Sequence, residues 1–86
     1  MEAYEARVNV TYKGSNGDLP DHVNFDATDA EILTWVTEAL RTGGVPGIPA
    51  DPDASLTDFV VDRFAAKEDL SNRLMIRPKT PFGLVS

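Results

Sequence analysis

Thr28-Asp-Ala-Glu-Ile-Leu-Thr-Trp-Val-Thr-Glu-Ala-Leu-Arg-Thr-Gly-Gly44 decides the fold, because it specifies one helix together with both of its ends. Thr28 and Glu31 stand in capping-box spacing, so the Thr28 side chain accepts from the Glu31 N–H while Glu31 reaches back. Asp29 and Glu31 sit at the positive end of the helix dipole. Ile32, Leu33, Val36, Ala39 and Leu40 recur at helical spacing and make one apolar face, with Trp35 at its margin. Arg41 lies in the last turn, and Gly43-Gly44 supply the stop.

Upstream, residues 4–12 alternate. Ala6, Val8, Val10 and Tyr12 point one way, while Glu5, Arg7, Asn9 and Thr11 point the other, the period of a half-buried strand. Lys13-Gly-Ser-Asn-Gly-Asp18 follows as a cluster of turn formers with an Asn-Gly pair. Val23, Phe25 and Ala27 alternate against His22, Asn24 and Asp26, which reads as the returning strand of a hairpin with a longish loop.

Downstream, Gly43 to Ala54 carries three Pro and three Gly and reads as a stiff, irregular crossing rather than a domain boundary. Residues 55–67 admit two readings. Ser55-Leu-Thr-Asp58 is able to cap a helix with Leu56, Phe59, Val60 and Phe64 on one face. Arg63 and Lys67 would fall in the middle of that face, however, and Phe59-Val-Val61 favours extended backbone. A strand at about 58–64 is therefore the preferred reading. The last strand spans about 72–77, with Leu74 and Ile76 inward and Met75 outward, and Pro78 ends it.

The chain has 86 residues, 42% of them hydrophobic and 26% charged, as expected of one small globular domain. Residues 1–77 read as that domain and 78–86 as an extended C-terminal tail. With no cysteine, disulfides, thiolate metal sites and a Cys nucleophile are all excluded. Apolar runs are too short to span a membrane, and the N-terminus lacks a signal-peptide core, so the expected location is cytoplasmic. A net charge of −6 argues against a nucleic-acid groove. Residues 1–72 hold all 14 acids and five of the eight bases, a balance of −9; Arg73, Arg77 and Lys79 leave residues 73–86 at +3. An acidic body with a basic tail suggests different partners at the two ends.

Catalytic chemistry finds little support. His22 is the sole histidine and lies beside a turn, and Ser15, Ser55, Ser71 and Ser86 lack any nucleophile-elbow context, so the chain does not read as an enzyme. Asp18, Asp21 and His22 form a good turn more readily than a metal site. Asp51-x-Asp53-x-Ser55, with Asp62 as closing carboxylate, imitates a calcium loop, but Pro52 and Leu56 spoil it where Gly is needed. No glycine spacing fits a nucleotide loop, and no cofactor is expected.

The element order is hairpin, helix, long loop, strand, strand: an α+β chain with a mixed sheet packed on one helix. That layout resembles the ubiquitin-like β-grasp proteins. The resemblance is carried by the hairpin, the Thr28-Asp-Ala-Glu31 helix start after Phe25-Asp26, Gly47-Ile48-Pro49 after the helix, and Arg73-Leu-Met-Ile-Arg77 leading into the tail. It is similar in particular to small bacterial ubiquitin-like modifiers encoded beside E1-like, E2-like and peptidase partners. The resemblance implies first and last strands paired in parallel at the sheet centre. It further implies trimming between Gly83 and Leu84, with Leu84-Val85-Ser86 removed and Gly83 joined to target proteins. Arg77, Lys79 and Phe82 would then recognise the partner groove; Lys13, Lys67 and Lys79 are the lysines open to self-linked chains, with Lys13 on the hairpin loop the most exposed candidate. Conjugated members commonly end in Gly-Gly, whereas here Phe82 precedes a single Gly. Three alternatives stand beside this. Phe82 folds back over an apolar patch; the domain is a binding module that is never conjugated; or it is a small acidic accessory protein covering a basic surface.

Overall fold

The computed structural model describes residues 3–79. In chain order it contains β1 (Glu5–Tyr12), β2 (Ser15–Asp18), β3 (Val23–Asn24), α1 (Asp29–Thr42), β4 (Phe59–Phe64) and β5 (Arg73–Pro78). The strands form one five-stranded sheet in the order β2-β1-β5-β4, with β3 pairing a separate stretch of β1. β1 and β5 run parallel at the centre, and every other pairing is antiparallel. A mixed sheet packed against one helix is an α+β arrangement, compatible with a β-grasp-like fold.

The alternation in β1 sends Ala6, Val8 and Val10 to zero exposure and buries Tyr12. Leu74 and Ile76 of β5 lie beside them, register partners of Val8 and Val10. Ile32, Val36 and Leu40 of α1 form the opposing layer, and Val45, Ile48, Ala54 and Leu56 from the following loop complete the core. Burial of this one face removes the apolar stripe of the helix from water, which is the main drive to fold.

The helix ends follow the sequence closely. Thr28 Oγ1 accepts from the Glu31 N–H at 3.1 Å, and Glu31 Oε1 accepts from the Thr28 N–H at 3.0 Å. Gly43 closes the helix in the left-handed region at φ 77°.

The hairpin differs from the sequence reading. Its turn is Lys13-Gly14, both at positive φ (49° and 82°), and it joins Tyr12 to its register partner Ser15. Two central residues with positive φ match the twist of the flanking strands, as in a two-residue hairpin loop. Asn16-Gly17 therefore lies within β2 instead of in the turn. Gly17 has a packing reason to be glycine, since a Cβ there would stand 2.2 Å from the Pro46 carbonyl oxygen. The returning strand is also shorter than residues 22–27 suggest. Asn24 Oδ1 accepts from the Asp26 N–H at 2.8 Å, and the Ala27 N–H donates to the Asn24 carbonyl at 3.1 Å. These local bonds turn the chain out of the sheet towards α1.

Residues 59–64 are extended, in agreement with the preferred reading of that stretch. Arg63, which would interrupt a helical face, lies on the α1 side of β4. It donates to the Phe25 carbonyl (2.6 Å), the Ala27 carbonyl (2.7 Å) and Asp29 Oδ1 (2.6 Å). One guanidinium thus ties β4 to the entry of α1. Pro78 is the last residue of β5 and the partner of Phe59, one position beyond the strand end read from sequence.

Gly17→Ala should lower stability by about 1–3 kcal/mol, because the new methyl must push backbone away. Urea unfolding followed by circular dichroism checks this; an unchanged midpoint would contradict the close packing of the loop on β2.

Candidate functional site

The residues singled out from sequence divide between the end of β5 and the β1–β2 turn. β5 is held on both sides, by β1 and by β4. Beyond Pro78, the Lys79 N–H donates to the Asp58 carbonyl at 2.7 Å, so the chain keeps a defined path through residue 79. The Lys79 side chain is exposed and has no partner among the described residues. Arg77 is different: its Nε donates to Asp62 Oδ2 on the neighbouring strand β4. Any partner that recruits Arg77 must compete with that carboxylate. Phe82, Gly83 and Leu84 lie outside the described residues.

Lys13 occupies the tip of the hairpin with 74% of its side chain exposed. Its Nζ donates to Asp51 Oδ2 at 3.1 Å, and the Tyr12 hydroxyl donates to the same oxygen at 2.7 Å. Asp51 Oδ1 accepts from the Asp53 N–H at 3.0 Å. The loop after α1 is thereby fastened to the hairpin by one carboxylate with three donors.

The electrostatic consequences follow from that geometry. Hydrogen bonds from Tyr12 and then Lys13, with the Asp53 backbone N–H, hold the Asp51 carboxyl below its ordinary value of 3.8. The same carboxylate raises Lys13 above 10.5, chiefly by hydrogen bonding and then by its charge. It also raises Tyr12 above 10.0, where burial adds to the effect.

Asp51, Asp53, Ser55 and Asp62, the imitation calcium ligands, are not assembled: Asp51 serves the hairpin and Asp62 serves Arg77. His22 is exposed just ahead of β3. Among the described residues, no three of His, Asp and Glu come together as a metal set. No helix among them is long and apolar enough to cross a membrane.

No family model, curated protein or solved structure matches this chain. Its site chemistry therefore rests on its own residues. Sequence reasoning missed three of them. Asn72 is buried, donates to the Ala3 and Glu5 carbonyls and accepts from the Ala66 N–H, so it holds the entry of β5 against β1. Arg7 and Arg73 are register partners across the parallel pair and emerge side by side on the sheet face away from α1. Alternation gives the face of each, but their adjacency requires the register.

The Asp51 carboxyl binds protons more weakly in the folded than in the unfolded chain. Its contribution to stability is complete above 3.8 and is lost as pH falls through the depressed folded value. Asp51→Asn should therefore flatten the loss of stability as pH falls below about 4, relative to the unaltered protein. Denaturant midpoints across that range test it, and parallel curves for the two proteins would contradict the assignment.

Proposed function

We propose that this chain is a ubiquitin-like β-grasp modifier precursor, trimmed after Gly83 and conjugated to targets by E1-like and E2-like partners in a bacterial pathway. The supporting observation is the exit of the chain from a strand clamped at the sheet centre, with Lys79 still bonded to Asp58. A modifier is useful when its reactive terminus projects from a fixed point, because less entropy is lost on entering an enzyme channel. Gly83 lies four residues past Lys79, within about 14 Å at full extension.

The residues of the tail suit that role. Hydrolysis of the Gly83–Leu84 bond releases a glycine carboxylate, and glycine lacks the Cβ that would obstruct a narrow channel. Pro78, the last residue of β5, has its φ fixed by its ring where the chain leaves the sheet. The protein is then the substrate of chemistry carried out by others: the E1-like partner would convert the Gly83 carboxylate to an activated ester or thioester at the expense of a nucleoside triphosphate, and a deprotonated target amine would displace that leaving group to form an isopeptide bond. Lys13 is paired with Asp51, so self-linkage there would first have to release that contact. Exposed Lys79, near the exit, is placed to meet an acidic partner surface.

Intact mass spectrometry of the protein recovered from its native cells, with neighbouring genes present, is the test. The expected result is a species ending at Gly83 together with heavier adducts, both lost in Gly83→Ala. Molecules that all retain Leu84-Val85-Ser86, with no adduct, would overturn the proposal.

A further inference from the structure

The sheet face turned away from α1 carries a groove of about 600 Å³, in the size range of ligand pockets. Its floor is the central parallel pair, and Arg7 and Arg73 stand on it as register partners. Like charges placed opposite one another on neighbouring strands are destabilising. The ion pairs among the described residues use Lys13, Arg63 and Arg77, and neither Arg7 nor Arg73 takes part. The contrast with Arg77 is local, since that residue lies two positions along the same face from Met75 and is neutralised by Asp62.

Arg73 carries the decisive feature. Its Nε is buried and has no hydrogen-bond partner among the described residues. A buried donor without an acceptor is costly, and a guanidinium more so, which makes such a group a pointer to something that binds there. The Arg73 guanidinium carbon lies over the Phe64 ring, 5.1 Å from its centroid. None of the ion pairs among the described residues uses Arg73, and arginine takes a carboxylate through its N–H fork.

Asn9, Asn16 and Asp18 at the β2 side of the groove are engaged with one another. Asn9 Nδ2 donates to Asn16 Oδ1 and Asp18 Oδ1, and Asn16 Nδ2 donates to Asn9 Oδ1 and Thr11 Oγ1. Leu70, 53% exposed, and Met75 supply apolar surface beside Arg73. Asp69 at the same rim repels a second acid on that side.

We infer that this groove binds an acidic peptide segment, with one carboxylate shared by Arg7 and Arg73 and an adjacent apolar side chain resting on Leu70 and Met75. The site lies on a sheet face and does not depend on the fate of the tail.

The test is a titration of the full, ¹⁵N-labelled chain with the blocked peptide Gly-Ser-Leu-Glu-Leu-Glu-Ser-Gly, and with its Gln counterpart. The expected result is saturable shifts centred on Arg7, Leu70, Arg73 and Met75 with the Glu peptide alone, weakening as salt is raised. Exposed Arg7→Glu should weaken binding about tenfold or more, the loss of one charge-assisted contact. Lys67→Glu, the same charge change elsewhere, should leave it intact. Absence of saturable shifts, equal response to the Gln peptide, or equal loss in both variants would overturn the inference. So would tighter binding of an oligothymidylate than of the peptide. Concentration-dependent shifts of the same residues without peptide, abolished by Arg7→Glu, would mean that the face takes a second copy of this chain instead.

Discussion

The parallel pairing of β1 with β5 is the constraint on which the rest of the molecule depends. It brings the first and last strands of the described chain together, with Val8 beside Leu74 and Val10 beside Ile76, all without exposure. Parallel neighbours cannot be joined by a tight turn, so everything between them must serve as the crossover. β2 and β3 flank β1, α1 covers one face, and β4 returns to flank β5. The register also assigns every side chain of the pair to a face. A slip of one residue would exchange Val8 and Val10 for Arg7 and Asn9 in the core. The apolar core and the arginine-bearing outer face are thus two results of one choice.

A small number of polar groups fix the pieces that the core alone would leave loose. Arg63 binds two carbonyls and Asp29 at the entry of α1, Asn72 binds the start of β1, and Asp51 gathers the hairpin tip onto the loop after the helix. Each replaces water contacts of otherwise unpaired backbone or charged groups, in a chain too short to bury more hydrocarbon. The same economy explains Gly17, where strand and loop backbones approach too closely for any side chain.

Local signals were legible in the sequence, and long-range ones were not. Thr28 and Glu31 announce the helix start because both partners lie within one turn. The alternation of Ala6, Val8, Val10 and Tyr12 likewise declares its own inward face. The hairpin turn was misplaced because Asn16-Gly17 offers a stronger turn signal than Lys13-Gly14, and the demand on Gly17 comes from Pro46, far along the chain. β2 itself, Ser-Asn-Gly-Asp, has no strand signature and is extended only because β1 templates it. Arg63 looked like a flaw in a helix since its three acceptors lie more than thirty positions away. Of the residues proposed for function, Arg77 and Lys13 are now seen to have carboxylate partners, a pairing that spacing alone does not reveal.

The exit of the chain beside Asp58 and the paired arginines of the outer face both presuppose that β5 runs parallel to β1 in the stated register. Backbone nuclear Overhauser contacts in the labelled protein measure this directly. The structure predicts a parallel pattern linking Arg7 with Arg73 and Asn9 with Met75, and the slowest hydrogen exchange in the amides that pair β1 with β5. An antiparallel pattern, a one-residue shift, or β5 amides exchanging as fast as those of the loop at 65–71 would contradict it.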